Sequence, residues 1–340
     1  MEHLDYITAP VDMLMFGVKD EYKQWWNFDR MLQTWEILDA HPDAPLKELP
    51  LYHHGIDVWK LKGGPFETVL RCVKAYRRIY FDIRDNGYDY EKASKPIRIR
   101  IRKNGELAIG NGHHRVSMLK HLKYPEIDIE IASRHPSFTE FKDKLYNLYG
   151  GKLLYQPVDH PDFSDWVIVQ NGYEEVFQLM KDNIDIKDKH ILDIGCCTGD
   201  FSYRLAELGG RLVGIDTNKK RIEIAEYQRG YREAEQENPV FKVESFETHL
   251  EKPRRYDMIL LLNVIHHYLR RDVEKAYSRL IDISKKTDIL VIQLDTKIPV
   301  TIQELVDKVM IITDFKEYII YYIPKHLNRP VIIFKKEKEK

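Results

Sequence analysis

Two carboxylates and two glycines form the clearest chemical pattern in this 340-residue sequence. Asp193 and Gly195 close the apolar run that contains Ile191–Leu192, and Gly199 follows four residues after Gly195. Asp216 ends the next apolar run. A carboxylate about 20 residues after a glycine turn is where nucleotide-binding βαβ units bind ribose hydroxyls. These residue types at this spacing therefore predict a nucleotide-like ligand.

The surrounding residues predict the elements that must position these groups. A buried parallel strand is expected over residues 190–194, a helix over 200–208 and a second strand over 211–215. Further helices are expected over 173–183, 218–237, 272–284 and 301–310, and further strands over 240–244, 256–262, 289–294, 317–323 and 331–334. Such alternation predicts a doubly wound α/β sheet.

The run from Asp193 to Gly199 (Asp-Ile-Gly-Cys-Cys-Thr-Gly) resembles the first motif of class I S-adenosylmethionine (SAM)-dependent methyltransferases. In that family a glycine often occupies the position of Cys197. The resemblance implies a Rossmann-like, seven-stranded methyltransferase sheet over residues 172–336, with SAM as cofactor. The cofactor-binding residues that it implies are Asp193, Gly195, Cys197, Gly199, Asp216, Glu244, Ser245, Phe246 and Asn263.

Two neighbouring histidines, His266 and His267, follow the predicted fourth strand of this sheet, where the family places the methyl group and its acceptor. Histidine is the side chain most easily used as a base near neutral pH, so either could deprotonate an acceptor hydroxyl. Packing or capping is the alternative role for one of them. A phosphate or carboxylate acceptor would need no base.

A second pattern lies in the first half of the chain. Alternating residues over 97–101, a turn at Asn104–Gly105 and strands over 106–109 and 127–131 surround a glycine turn that opens a helix. A helix start of this kind, with an arginine in its first turn, can bind an anion. Binding should tighten below about pH 6.5, where histidine gains charge. A simple helix cap is the alternative. The residues predicted to bind phosphate or a nucleotide are Gly112, His113, His114 and Arg115.

Residues 97–131 resemble the ParB/sulfiredoxin-like fold, with Gly112–Arg115 at the centre of the match. The resemblance implies a smaller α+β domain over residues 1–135 that binds ATP or another nucleotide with Mg²⁺, as small-molecule kinases of this fold do. Asn111 stands where many relatives carry Asp. Residues 136–171 are expected to be a linker helix and loop, whose Tyr155, Asp159 and His160 are candidates for acceptor contacts or a cavity roof.

Composition limits the function classes. The net charge of −1 and pI of about 6.9 give no global basic field, which argues against a nucleic-acid partner. Three cysteines argue against a disulfide framework and favour a cytoplasmic location. The longest apolar run, residues 258–262, is too short for a membrane span. His53–His54 is expected in a loop without further ligands, so no metal site is predicted.

These patterns together predict an enzyme, a SAM-dependent methyltransferase that acts on a small molecule or a glycan, with or without a phosphate group. Its N-terminal domain is expected to bind a nucleotide or phosphate, with a kinase-like role. Two alternatives stay open: an RNA or DNA modification methyltransferase, and a nucleotide-gated binding protein without catalysis. The acceptor, the atom methylated and the oligomeric state are left open by the sequence.

Overall fold

The computed structural model describes residues 5–16, 27–62, 65–90, 95–170, 172–232, 238–295, 297–323 and 329–337. The chain divides into two compact units. Unit 1 comprises Met1–Glu140 and Asp159–Ser164, and unit 2 comprises Phe141–Val158 and Asp165–Lys340. The residues expected to form a linker, 136–171, are thus divided between the two units.

Unit 1 is built on a five-stranded mixed sheet flanked by helices. Its elements are β1 (Tyr6–Pro10), β2 (Leu14–Met15), α1 (Phe28–Ala40), α2 (Pro50–Lys62), α3 (Phe66–Asn86), β3 (Arg98–Ile101), β4 (Leu107–Asn111), α4 (His113–His121) and β5 (Glu126–Arg134). The strand order is β1-β5-β3-β4-β2. Helix α5 (Pro136–Tyr149) begins in unit 1 and ends in unit 2.

The core of unit 1 follows from the periodicity of its sequence. Ile99 and Ile101 of β3 are buried while the arginines between them are exposed, as strand alternation requires. Trp35 of α1 stacks on Tyr80 of α3 with ring centroids 5.1 Å apart, and its indole N–H donates to Ser117 Oγ at 2.9 Å. A buried indole needs such an acceptor, so the polar contact fixes the ring within an apolar core.

The loop expected around His53–His54 is wrong, because both residues lie inside α2. Pro50 is the first residue of this helix, where the missing proline N–H costs no hydrogen bond. The helix expected to run to residue 237 also stops early, since α8, Lys219–Gln228, ends two residues before Gly230. Residues 233–237 lie outside the described part of the chain.

Unit 2 is built on a seven-stranded sheet with helices on both faces. Besides α5 and α8 its elements are β6 (Leu153–Leu154), β7 (Val167–Ile168), α6 (Tyr173–Asn183), β8 (His190–Ile194), α7 (Asp200–Glu207), β9 (Arg211–Asp216), β10 (Val240–Val243), α9 (Phe246–Leu250), β11 (Tyr256–Leu262), α10 (Ile265–Arg271), α11 (Val273–Ser284), β12 (Thr287–Gln293), α12 (Ile302–Ile312), β13 (Glu317–Ile323) and β14 (Arg329–Lys335). The strand order is β10-β9-β8-β11-β12-β14-β13.

Successive residues of β11 pack on opposite faces of this sheet. Ile259 and Leu261 belong to one buried apolar cluster, and Met258 and Leu260 belong to another. A strand that is buried on both faces needs apolar residues at consecutive positions. Residues 258–262 accordingly carry no polar side chain.

The strand order creates a crevice between β8 and β11. Strands β9 and β10 are added in order on one side of β8, and β12 is added beyond β11 on the other side. All five strands are parallel. Ligands of open α/β sheets bind at such a switch point, beyond the carboxyl ends of the strands. Because β14 is antiparallel to β12, its first residue, Arg329, lies at this same edge.

Among the helices of the described ranges, none combines the length and the apolar character needed to cross a membrane.

Candidate functional site

A cavity of about 520 Å³ lies at the edge of the unit 2 sheet where the parallel strands end. Its volume falls within the range of small-molecule sites, roughly 300–1,000 Å³. Three predicted residues, Asp193, Gly199 and Ser245, are not among those that line it. The predicted site residues that line it are Gly195, Cys197, Asp216, Glu244, Phe246, Asn263, His266 and His267.

The turn after β8 brings bare backbone to the wall of the cavity. Gly195 has φ +73°, and a Cβ on it would lie only 2.6 Å from Val264 Cγ2. Glycine adopts this conformation without steric cost, and its missing side chain leaves room for Val264. Cys197 also has a positive φ, +56°, and its backbone N–H donates to Asp216 Oδ2 at 3.1 Å. The turn and the carboxylate are therefore fixed to each other.

Asp216 is a largely buried carboxylate at the end of β9, 6% exposed. Its Oδ1 accepts the backbone N–H of Asn218 at 2.8 Å, and its Oδ2 accepts from Cys197 and from Arg221 Nη1 at 3.4 Å. A carboxylate offers about four acceptor positions, so capacity remains for a ligand hydroxyl at Oδ1. The arrangement holds the carboxylate in one orientation.

Glu244, next to Asp216 along this edge, is also held as a carboxylate. Burial alone would raise its pKa, but the hydrogen bonds from Lys252 and from His249 Nδ1, the latter at 2.8 Å, outweigh burial and lower the pKa. The pKa of Glu247 is lowered in the same way. Burial alone would raise it, but hydrogen bonds outweigh burial, among them one that the hydroxyl of Tyr268 donates at 2.7 Å. The half of the cavity beside Asp216 therefore carries mainly acidic side chains, with Arg221 as a basic one.

The three predicted residues that do not line the cavity support its walls. Asp193 is buried under the turn, and Ser202 Oγ donates to it at 2.7 Å. Burial raises the pKa of Asp193 to about 6, although the Ser202 hydrogen bond opposes the shift. Gly199 begins α7 with φ +87°, and a Cβ there would lie 2.6 Å from Phe241 Cζ. Ser245 is the N-cap of α9.

His266 presents a neutral imidazole to the cavity. The residue is 5% exposed, and within the described structure its Nδ1 has no hydrogen-bond partner. Burial lowers its pKa to about 4, with further contributions from His267 and Arg270. His267 is exposed, and its ring centroid lies 4.2 Å from that of His266. The pKa of His267 is also lowered, by desolvation and by Arg270.

Of the residues expected as a possible cavity roof, Tyr155 lines the cavity, whereas His160 lies in unit 1 and hydrogen-bonds to the Gly105 carbonyl oxygen at 2.9 Å.

Several other cavity residues carry no sequence motif and were not predicted. One signal for Arg329 was available, since a charged residue at the start of an antiparallel closing strand must face the site edge. The charged lining side chains that were missed are Arg221, Glu247, Arg270, Asp295 and Arg329.

Gln156 is a second residue that the sequence did not reveal. Its Oε1 accepts the backbone N–H and the hydroxyl of Thr198, both at 3.1 Å, and lies 3.4 Å from the backbone N–H of Asp200. In dinucleotide-binding folds the first N–H groups of this helix bind pyrophosphate. Here the buried Gln156 side chain accepts hydrogen bonds from the N–H groups of Thr198 and Asp200 instead, which favours a ligand without a phosphate at this position.

In unit 1, the two histidines that follow Gly112 are largely shielded from solvent. His114 stacks on Tyr76 with centroids 3.9 Å apart, and His113 is 8% exposed. Burial lowers the pKa of His113 to about 4 and that of His114 to about 3. The expected gain of charge below pH 6.5 is therefore wrong. The Arg115 guanidinium donates to the carbonyl oxygens of Lys95, at 2.5 Å, and Pro96, at 3.4 Å.

The described residues contain no group of three or more His, Cys, Asp or Glu side chains placed to hold a metal ion.

Residues 185–317 match the family model of a methyltransferase domain. A ubiquinone biosynthesis O-methyltransferase of Coxiella burnetii is 28% identical over 90 residues, which is 26% of this chain and 37% of that protein. The O-antigen chain terminator bifunctional methyltransferase/kinase WbdD of Escherichia coli is 30% identical over 106 residues, 28% of this chain and 14% of that protein. The matches thus span well under half the length of these relatives.

Solved structures of methyltransferases also resemble part of the chain. Magnesium protoporphyrin IX methyltransferase from Synechocystis PCC 6803, solved with bound SAM, aligns with a TM-score of 0.44 and 18% identity, over 58% of this chain and 91% of its own. The structure of WbdD aligns with a TM-score of 0.46 and 18% identity, over 59% of this chain and 47% of its own.

Proposed function

We propose that this chain, whose residues 185–317 are a methyltransferase domain, transfers the methyl group of SAM to an oxygen of a small molecule or a glycan. The proposal includes acceptors that carry a phosphate group. The similarity to a ubiquinone biosynthesis O-methyltransferase supports the choice of oxygen as the methylated atom, and the similarity to WbdD supports methyl transfer.

One observation carries the proposal, namely the fixed carboxylate of Asp216 beside the glycine turn in the cavity. Asp216 retains acceptor capacity for a ribose hydroxyl, and Gly195 lines the wall of the cavity beside it. The occupied start of α7 favours a nucleoside without phosphate groups, such as the adenosyl part of SAM. The acidic side chains Glu244 and Glu247 suit the positive charge of a sulfonium ligand.

When bound, SAM supplies a methyl group that is already activated by the positive sulfur. The protein therefore mainly has to align the acceptor, and such alignment can be worth roughly 7–11 kcal/mol. A hydroxyl acceptor also needs a base, and His266 and His267 are the candidates. An oxyanion acceptor needs none. Both acceptor classes are compatible with an O-methyltransferase.

The proposal is tested by calorimetry with S-adenosylhomocysteine (SAH), the demethylated form of SAM. The wild-type protein should bind SAH, and Asp216→Ala should weaken binding about tenfold to more than a hundredfold, because a hydrogen bond to a charged group is worth ~1.5–3 kcal/mol. Asp185→Ala, which removes an exposed carboxylate of the same unit, is the matched control. Equal affinities for the two variants would contradict the ribose assignment.

The nucleotide- or phosphate-binding role of unit 1 remains a prediction, as does its ParB/sulfiredoxin-like resemblance. Titration of the wild-type protein with ATP and Mg²⁺, and with inorganic phosphate, tests it, with Arg115→Ala as the variant. Absence of binding at millimolar ligand would end the kinase-like interpretation. We also retain the cytoplasmic location as a proposal, which the free thiols of Cys72, Cys196 and Cys197 support.

A further inference from the structure

Acidic and basic side chains occupy different halves of the unit 2 cavity along the sheet edge. Asp216 ends β9, and Glu244 and Glu247 follow β10, where the proposed function places the cofactor. Arg270 lies in α10, after β11, and Arg329 is the first residue of β14, both on the opposite side of the switch point. The cofactor half is therefore mainly acidic, with Arg221 as its basic member, and the other half is mainly basic.

Within the basic half, Asp295 balances only one of the two arginines. Arg270 Nη2 donates to Asp295 Oδ2 at 2.6 Å, and Arg329 Nη2 lies 3.9 Å from the same oxygen. Although burial alone would raise the pKa of Asp295, the hydrogen bond from Arg270 and the other interactions hold it at about 2. With both histidines neutral, one positive charge remains unbalanced among these side chains.

Two nitrogen atoms of the basic half are buried without a hydrogen-bond partner in the described structure. They are Arg329 Nε and His266 Nδ1, and both side chains line the cavity. Arg329 Nη1 is fixed by donating to Asn263 Oδ1 at 3.2 Å. A buried guanidinium N–H without an acceptor is costly, and Arg221 Nε in the acidic half is in the same position. What distinguishes the basic half is therefore its two cavity-lining arginines with a single carboxylate, a charge that a ligand bringing anionic acceptor atoms would balance.

We propose that the methyl acceptor is an oxyanion, a carboxylate or a phosphate, bound by Arg329 and Arg270 with His266 beside it. This inference rests on the proposed function and specifies its substrate class. The acidic half, with Asp216, then holds the ribose of the cofactor, and the basic half holds the acceptor beside the methyl group. Arginine binds both oxyanions through its planar fork of donors.

In the resulting step, a lone pair of the acceptor oxygen forms the new O–C bond. The S–C bond breaks as the oxygen attacks, and its electron pair stays on sulfur, giving a neutral thioether. The acceptor loses one negative charge and becomes a methyl ester. No proton is released, so the step needs no base, and a neutral histidine suffices as its neighbour.

The test is calorimetry on the full chain saturated with SAH, using benzoate, phenyl phosphate and the uncharged phenol as probes. We expect at least one of the two anions to bind tenfold or more tightly than phenol. Whichever anion binds better identifies a carboxylate or a phosphate as the natural acceptor group. Weaker or equal binding of both anions relative to phenol would overturn the inference.

Matched variants locate the binding groups. Arg329→Gln and Arg270→Gln should each weaken anion binding tenfold or more, whereas Arg271→Gln, which alters an exposed neighbour outside the cavity, should stay within twofold. Asp295→Asn should tighten anion binding, a gain that misfolding cannot produce. Unchanged anion affinity in Arg329→Gln would overturn the assignment.

SAH affinity, measured in the same samples, distinguishes failure of the oxyanion inference from failure of the proposed function. If the wild-type protein binds SAH but neither anion, the oxyanion inference alone fails. If it does not bind SAH, the proposed function fails and the inference fails with it.

Discussion

At the scale of single residues, His266 decides which chemistry the cavity can support. Its pKa of about 4 means that the ring is neutral at pH 7 and has little affinity for a proton. A general base is most effective when its pKa lies near the working pH. Burial thus makes His266 better suited to donating or accepting one hydrogen bond than to removing a hydroxyl proton.

We expect His266→Ala to lower the turnover number by no more than about tenfold, since a neutral hydrogen bond is worth ~0.5–1.5 kcal/mol. Radiolabelled methyl transfer, with SAH affinity measured in parallel, checks this. His41→Ala, which removes an exposed histidine of unit 1, is the control. A loss of 10²–10⁴-fold would instead identify a general base and a hydroxyl acceptor.

The pH dependence of methyl transfer should follow the same pKa. His266 is neutral above about pH 4 and gains a proton only below it, so the rate should lose nothing to this residue between pH 7 and pH 5. Initial rates over pH 4–8 provide the measurement. An acid limb near pH 6.5 that disappears in His266→Ala would contradict the lowered pKa.

At the scale of elements, the turn between β8 and α7 depends on backbone geometry more than on side chains. Gly195 and Gly150 have the same φ, +73°, but Val264 crowds only Gly195, and nothing lies within 4 Å of the Cβ position of Gly150. The two glycines therefore separate the cost of backbone strain from the cost of steric overlap.

Gly150→Ala should lower the free energy of unfolding by about 1–2 kcal/mol, the cost of a side chain in the left-handed region. Gly195→Ala should cost ~1–3 kcal/mol more, the range for overpacking, and should also weaken SAH binding. Urea denaturation and calorimetry measure the two effects. Adding Val264→Ala should recover part of the difference, and equal stabilities of the two single variants would refute the overlap.

Gln156 stabilises the same turn from a distant part of the sequence. Gln156→Leu would leave buried N–H groups of Thr198 and Asp200 without an acceptor, at ~1–3 kcal/mol each. We expect hydrogen exchange at these two amides to accelerate tenfold or more. Gln156→Glu keeps an acceptor oxygen and should preserve protection, so equal exchange in both variants would exclude this role.

Elements with strong local patterns could be predicted from the sequence, and single contacts between distant segments could not. The predicted bounds of α6, β11 and β13 agree with the structure, because apolar periodicity and flanking turn residues define them. Gly195 and Asp216 were found through spacing within one βαβ unit. Gln156 and Arg329 reach the same region from elsewhere in the chain. Nothing in the sequence around Gln156 marks it, and the position of Arg329 at the start of the closing strand is its only signal.

At the scale of the whole molecule, unit 1 depends on a short segment that returns to it late. Residues 159–164 contribute Asp162, which is 3% exposed. Arg134 binds it through Nε at 2.9 Å and Nη2 at 2.5 Å. A bidentate pair of this kind joins the end of β5 to the returning segment.

Arg134→Ala should destabilise the protein by ~3–5 kcal/mol, because it leaves the buried Asp162 without its bidentate cation. Thermal unfolding of the full chain checks this, with Arg100→Ala on exposed β3 surface as the control, expected within about 0.5 kcal/mol. Further substitution of Asp162→Asn should restore part of the loss. An Arg134→Ala protein as stable as the control would show that the pair contributes nothing.

The return of residues 159–164 to unit 1 also sets an order of events during synthesis. Domains generally fold as units while the chain emerges from the ribosome, N-terminal first. Unit 1 cannot complete its Arg134–Asp162 contact until residue 164 has emerged, by which time residues 141–158 of unit 2 are already outside. A nascent chain halted at residue 140 would hold Arg134 through Asp5 alone and would lack Asp162, leaving an incomplete contact on which a chaperone could act before the second unit exists.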